Sequence, residues 1–147
     1  MNTNCPKNEA AEKLLAGYNC AQAVLYSACD QLGFDKSTAL KIACGFGAGI
    51  AREEEVCGAV SGAIMAIGLK YGRGEGEDRT KTEETYAKTR EFIKGFKAKH
   101  GTLICRELIR CDLRTPEGQQ YYKANDLIHH TCAWCVQTAQ GLLEKQL

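Results

Sequence analysis

Helices account for this sequence from one end to the other, packed as a compact multi-helix bundle around a buried central helix rich in glycine and alanine. Three observations predict this all-α class. Apolar residues recur at three- and four-residue steps through the long segments. No run shows a convincing strand-like alternation. Residues 57–69 are apolar nearly all round, as a helix enclosed on every side must be. With no internal repeat, low-complexity tract or long linker, residues 1–147 read as one cysteine-rich domain.

Over residues 8–32, Leu14, Tyr18, Ala21, Leu25, Ala28 and Leu32 make one stripe of a long amphipathic helix. Cys20 lies off it by about 120° at about 100° per residue, facing a second partner helix. Gly33 closes that helix, and Ser37 offers the N-cap of a short one reaching about Cys44. Gly45-Phe46-Gly47-Ala48-Gly49 marks a backbone that turns tightly or passes close to a neighbour. It is not a dinucleotide fingerprint, because the residues before it read as helix and not strand. Glu53, Glu54 and Glu55 suit the positive end of the central helix. Gly58 and Gly62, one turn apart on that helix, leave a groove for another backbone or a flat ligand, close helix packing being the commoner use.

The polar connection Tyr71-Gly72-Arg73-Gly74-Glu75-Gly76 leads to a charged helix over about 78–99, with Tyr86, Phe92, Ile93 and Phe96 inward. After His100-Gly101, Thr102 can cap a short helix with Cys105 in its first turn. Thr115-Pro116-Glu117 is a further helix start, and the last helix spans about 131–145.

An apolar content of 44% over 147 residues supplies a core without crosslinks. The net charge of +1, with cations interleaved among anions, gives no basic face for nucleic acid. No segment has the length of a membrane span, and Met1-Asn2-Thr3-Asn4-Cys5-Pro6-Lys7 lacks the parts of a secretory signal, so a cytoplasmic protein is expected. Nine cysteines is then anomalous, and in a reducing compartment the excess points to metal binding or catalytic thiols. Some will serve only as small buried hydrophobes.

Cys20, Cys57, Cys105 and Cys132 fall one on each of four helices, and a bundle interior can bring such residues together. Cys57 and Cys105 sit near helix N-termini, where the dipole favours thiolate. The glutamates before Cys57 oppose this, whereas Arg106 beside Cys105 favours a depressed pKa. Cys132-Ala133-Trp134-Cys135 puts two sulfurs on one helical face, within reach of one metal or of each other. Val136 follows where covalent haem attachment needs histidine, and no βαβ pattern surrounds the pair as in a thioredoxin site. Packing or chance covers Cys5, Cys29 and Cys44, while Cys111 could back up the site. His129 and His130 could ligate metal or shuttle protons, although capping a helix is their more frequent use.

Taken in order, Asn19-Cys20-Ala21-Gln22-Ala23-Val24-Leu25, the turn from Gly45 to Gly49, Cys57-Gly58-Ala59-Val60-Ser61-Gly62, Gly68-Leu69-Lys70-Tyr71-Gly72, Cys105-Arg106-Glu107-Leu108 and Asp112-Leu113-Arg114-Thr115-Pro116-Glu117-Gly118 resemble segments of one family. It comprises small redox-active proteins with four spaced cysteines and a Cys-Gly-Ala-x-x-Gly motif, written C_GCAxxG_C_C. The resemblance covers nearly the whole chain and implies that Cys20, Cys57, Cys105 and Cys132 are the family's four cysteines. Split-Soret cytochromes look like relatives on a similar domain, which implies a helical homodimer and a site able to host a redox cofactor. This chain departs from them in lacking Cys-x-x-Cys-His.

The expected function is therefore redox chemistry with an unidentified partner, through Cys20, Cys57, Cys105 and Cys132 gathered near the central helix. They would act as a thiol/disulfide couple or as ligands of an iron–sulfur cluster, with Gly58, Gly62 and Cys135 beside any cofactor. The alternatives are a zinc or copper(I) binding protein without turnover, and a structural domain that dimerises through the Gly58/Gly62 face.

Overall fold

In the computed structural model, which describes residues 8–147, eight α-helices are joined by short connections. Helix α1 (Glu9–Leu15) starts at Asn8, whose side chain accepts the Ala11 N–H at 2.9 Å. The single helix expected over 8–32 is in fact two. Gly17 takes φ 109° beyond α1, and Asn19 then opens α2 (Cys20–Leu32) with a capping box shared with Gln22. A stop and a start thus interrupt a stripe whose periodicity alone looks continuous.

Gly33 ends α2 in the left-handed conformation, as expected. Helix α3 (Lys36–Ala43) is capped by Asp35 and not by Ser37, the Asp35 carboxylate accepting the Thr38 N–H at 2.8 Å. A 3₁₀ turn, Cys44–Phe46, follows. Then come the central α4 (Gly58–Tyr71), the long α5 (Thr80–His100), the short α6 (Cys105–Ile109) and α7 (Pro116–Ala124), capped by Thr115 as expected. A π turn, Ile128–Cys132, leads directly into α8 (Ala133–Gln146).

The core is built on α4, which α2, α5 and α8 pack around. Ala59, Val60, Ala63, Ala66 and Ile67 have no exposed surface. Phe92 and Phe96 of α5 reach this core with ring centroids 6.1 Å apart. Tyr86 does not, being 55% exposed: it lies two turns before the half-buried Ile93, on the margin of the stripe, where nothing covers α5. Among the described residues, no helix is long and apolar enough to cross a membrane.

Candidate functional site

The beginning of α2 lies directly on the beginning of α4. A Cβ at Gly58 would stand 2.6 Å from the Cys20 sulfur, and one at Gly62 would stand 2.5 Å from the Ala21 carbonyl oxygen. The spacing of these two glycines therefore serves close helix packing within the chain. Both are buried, so the reading in which their face forms a dimer contact does not hold.

A second device sets Cys57 beside Cys105. Val56 and Ile104 form an isolated antiparallel bridge, with the Cys57 N–H donating to the Leu103 carbonyl and the Cys105 N–H to the Glu55 carbonyl, both at 2.7 Å. Cys57 is thereby fixed as the N-cap of α4 and Cys105 as the first residue of α6. Thr102 does not cap α6, whose N-cap is Ile104 without a side-chain cap, and its hydroxyl instead accepts the Ile104 N–H at 3.1 Å, before the helix begins. Glu54 anchors the clip from beneath. Only 2% exposed, its carboxylate accepts the Leu113 N–H at 2.8 Å and pairs with Arg106 Nε at 3.2 Å. Its charge is thus used in a pair with the half-exposed Arg106 and not at the mouth of α4.

Between the 3₁₀ turn and Cys57 the backbone takes an unusual course. Ala48, Gly49, Ile50, Ala51 and Arg52 all have positive φ, between 52° and 70°, making about one turn of left-handed helix. For residues with a Cβ this costs roughly 1–2 kcal/mol each. The turn is held by N–H groups of Glu54 and Glu55 donating to the carbonyls of Ala48 and Gly49 at 3.2 and 2.9 Å. Of the glycines expected to bend here, Gly49 takes positive φ, while Gly47 instead makes room for the Asn19 side chain, 2.5 Å from where its Cβ would be. The outcome is that the Ala48 N–H is placed near the Cys20 sulfur, where it favours the thiolate. Strain maintained this way is common where a chain positions a functional group.

The Cys57 side chain interacts with those of both Cys20 and Cys135. Interaction with Cys57 and then burial raise the Cys20 pKa well above that of a free thiol, against backbone N–H groups of Ala48 and Cys20 that favour its thiolate. The Cys57 pKa is raised chiefly by Cys135, with burial adding to this and Cys20 and the Ala59 N–H opposing it. Burial pushes Cys105 up to about 12, reinforced by Cys20 and Cys132. The depressed pKa expected there is overturned: Cys105 is only 8% exposed, sulfurs surround it, and the Arg106 guanidinium is turned toward Glu54. Burial also pushes Cys132 up to about 12, although a hydrogen bond with the Tyr122 hydroxyl, 3.2 Å from its sulfur, acts against this. Burial holds the Tyr122 hydroxyl protonated well beyond the ordinary range.

Cys20, Cys57, Cys105 and Cys132 are thus brought into one neighbourhood, and Cys135 joins them through Cys57. Cys57, Cys105 and Cys135 are buried, whereas Cys20 and Cys132 are half-buried. Cys111 is near enough to act on Cys105 and Cys132. Cys29 is buried in packing, with its thiol donating to the Leu25 carbonyl at 3.3 Å, Cys44 is exposed, and Cys5 lies outside the described residues. His129 and His130 turn to Asp126, at 2.7 and 3.9 Å, and not to sulfur.

Sequence reasoning missed Tyr122 and the partner of Cys135. The Cys135 sulfur is 4.0 Å from His100 Nδ1, and His100 Nε2 in turn pairs with the Thr138 hydroxyl at 2.9 Å. Burial lowers the His100 pKa. Only the placement of His100 at the end of a helix was legible in advance.

Among the described residues, no three His, Cys, Asp or Glu side chains converge to hold a single ion. As arranged, the described side chains lack the four converging donors of a structural zinc site. What they form is a set of mutually perturbing thiols gathered from several helices, which defines a helical, cysteine-centred protein. The family model described as "Putative redox-active protein (C_GCAxxG_C_C)" matches residues 18–146, and the chain belongs to that family. Neither a curated protein nor a solved structure matches it.

Proposed function

We propose that the chain is a thiol–disulfide redox protein in which Cys20 and Cys57 form the working couple. The position of the Cys57 side chain, interacting with Cys20 on one side and Cys135 on the other, carries this reading. Cys20 is the more exposed partner and begins a long helix; Cys57 and burial raise its pKa overall, and the N–H groups of Ala48 and of Cys20 itself act in the opposite direction, toward its thiolate. In reduction of a partner disulfide, the Cys20 thiolate attacks one sulfur, breaking the S–S bond and releasing a thiolate that takes up a proton. Cys57, deprotonated in turn, attacks Cys20 in the mixed disulfide and frees the second thiol. Two electrons pass to the partner, and a Cys20–Cys57 disulfide remains for an external dithiol to reduce.

The cytoplasm suits this chemistry, because the resting thiols must be kept reduced. A homodimer belongs to the same reading: the exposed Ile42 and Leu69 line an apolar cleft on α3 and α4 that a second copy would cover.

Redox titration in dithiothreitol buffers, with mass-spectrometric mapping of peptides, tests the proposal. A single two-electron couple with Cys20 joined to Cys57, lost in Cys57→Ser, is expected; absence of a Cys20 disulfide at every potential would overturn it.

One observation favours a second reading, ligation of an iron–sulfur cluster. Cys20, Cys57, Cys105 and Cys132 come from four separate elements, and Ala48 and Ala59 direct N–H groups at two of the sulfurs, the kind of contact that tunes a cluster's potential. Such a cluster would supply one-electron transfer. Iron and acid-labile sulfide in stoichiometric amount after purification without oxygen, lost in Cys57→Ser, would establish it over the dithiol; colourless, metal-free protein would remove it.

A further inference from the structure

A half-open cleft of about 490 Å³ runs between the left-handed turn and α7, lined by Ala48, Arg52, Leu113, Gln119, Tyr122 and Lys123. Its size falls within the range of small-molecule sites. Two of its walls lead to sulfur. The Ala48 N–H lies on the Cys20 side and favours its thiolate, and the Tyr122 hydroxyl is 3.2 Å from Cys132 Sγ. These are the two cysteines of the cluster that retain appreciable exposure, whereas Cys57, Cys105 and Cys135 are buried. A molecule in this cleft therefore approaches the cluster from its open side.

The charge of the cleft is one-sided. Arg52 and Lys123 are exposed, no acidic side chain lines the wall, and neither cation forms an ion pair among the described residues. The neighbouring arginines differ in this respect, since Arg106 is paired with Glu54 and Arg114 with Asp112. Arg52 is also presented by a left-handed turn, at φ 66°, a conformation that residues with a Cβ adopt only at a cost. The strained turn therefore supplies both the N–H at Cys20 and the cation at the cleft.

We propose that this cleft receives a small anionic disulfide, whose carboxylate or phosphate groups meet Arg52 and Lys123 while its S–S bond is delivered to Cys20. The inference rests on the dithiol reading and specifies its substrate class. One substrate disulfide is reduced to two thiols, and Cys20 and Cys57 are oxidised to one disulfide. Two electrons and two protons pass to the products, and the couple is restored by an external dithiol.

The test uses the reduced full chain and three alkyl disulfides: dithiodipropionate, which is dianionic, neutral hydroxyethyl disulfide, and dicationic cystamine, each rate being divided by that of the same disulfide with free dithiothreitol because their leaving thiols differ in acidity. At low salt the wild type should reduce the anionic compound roughly tenfold or more faster than the cationic one, a preference that salt diminishes. Arg52→Glu combined with Lys123→Glu should reverse that order. If the charge reversal prevents folding, Arg52→Gly, which suits the backbone, with Lys123→Ala should abolish the preference. An anionic-to-cationic ratio equal in wild type and variant would overturn the assignment of the cleft while leaving the dithiol intact. Failure to reduce any of the three, with no Cys20–Cys57 bridge formed, would overturn the dithiol reading itself and this inference with it.

Discussion

The sulfur of Cys20 stands where a side chain at position 58 would begin, 2.6 Å from the point a Cβ on Gly58 would occupy. Helix α2, which begins with Cys20, and helix α4, which Cys57 precedes as N-cap, are thus joined at their starts with no side chain between them. Within the motif Cys57-Gly58-Ala59-Val60-Ser61-Gly62, the cysteine is half of the proposed couple and the glycines supply the close approach of Cys20.

That relationship gives opposite expectations for glycines on one helix. Gly62→Ala would press its Cβ on the Ala21 backbone, which cannot turn aside, and should destabilise by about 1–3 kcal/mol. Gly58→Ala should cost a comparable amount, because its Cβ would stand 2.9 Å from the Ala21 nitrogen and 3.0 Å from the Phe46 carbonyl oxygen as well as against the Cys20 sulfur, and it should also alter the redox titration of Cys20. At Gly68, where nothing lies within 4 Å, alanine should stabilise by roughly 0.5–1 kcal/mol through a less flexible unfolded chain. Urea unfolding of the three variants checks the ranking.

Reduced, metal-free protein should lose stability at alkaline pH. Cys105 and Cys132 titrate near 12 when folded, against the ordinary value of 9.0 that the unfolded chain recovers. The unfolded state therefore holds fewer protons between those limits, so the stabilisation is complete below pH 9 and falls as pH rises toward 12. The loss should amount to a few kcal/mol, because each tenfold difference in proton affinity between the folded and unfolded thiol is worth about 1.4 kcal/mol. Urea midpoints measured from neutral pH to the onset of this window should decline, and the decline should be shallower in Cys105→Ala.

Burial should order the thiols toward a small alkylating agent. Cys44, which is exposed, should be modified first, and the buried Cys57 and Cys135 should lag it by roughly a hundredfold or more, through local opening alone. Peptide mapping after timed iodoacetamide exposure gives the order, and rapid modification of Cys57 in the folded chain would contradict the packing described.

Glu54→Gln should destabilise by about 1–3 kcal/mol, since the buried carboxylate holds both the Leu113 N–H and Arg106, whose half-exposed guanidinium limits the loss. Arg106→Gln should cost a comparable amount, and the double variant less than the sum. Thermal unfolding of the cycle measures the coupling.

Local signals reached a good part of this arrangement. The cysteines at residues 20, 57, 105 and 132 were identifiable from their separate helices and from the family resemblance, and Gly58 and Gly62 announced a close approach. The helix break before Cys20 was also present locally, in Gly17 and the Asn19/Gln22 capping box, but the continuous apolar stripe masked it. Cys135 was paired by spacing with Cys132, yet it interacts with Cys57, and a π turn precedes it where a regular helix was expected.

The all-helical class, the central apolar helix and the placing of Cys57 and Cys105 near helix starts followed from the chain alone, because periodicity, capping residues and backbone freedom act within a few residues. Assembly decided which thiol meets which, that Glu54 is buried beneath the clip, that Tyr122 reaches Cys132, and that burial raises the Cys105 pKa instead of the helix start lowering it. Those outcomes depend on contacts between residues far apart in sequence, where desolvation and neighbouring sulfurs outweigh the local fields that a sequence displays.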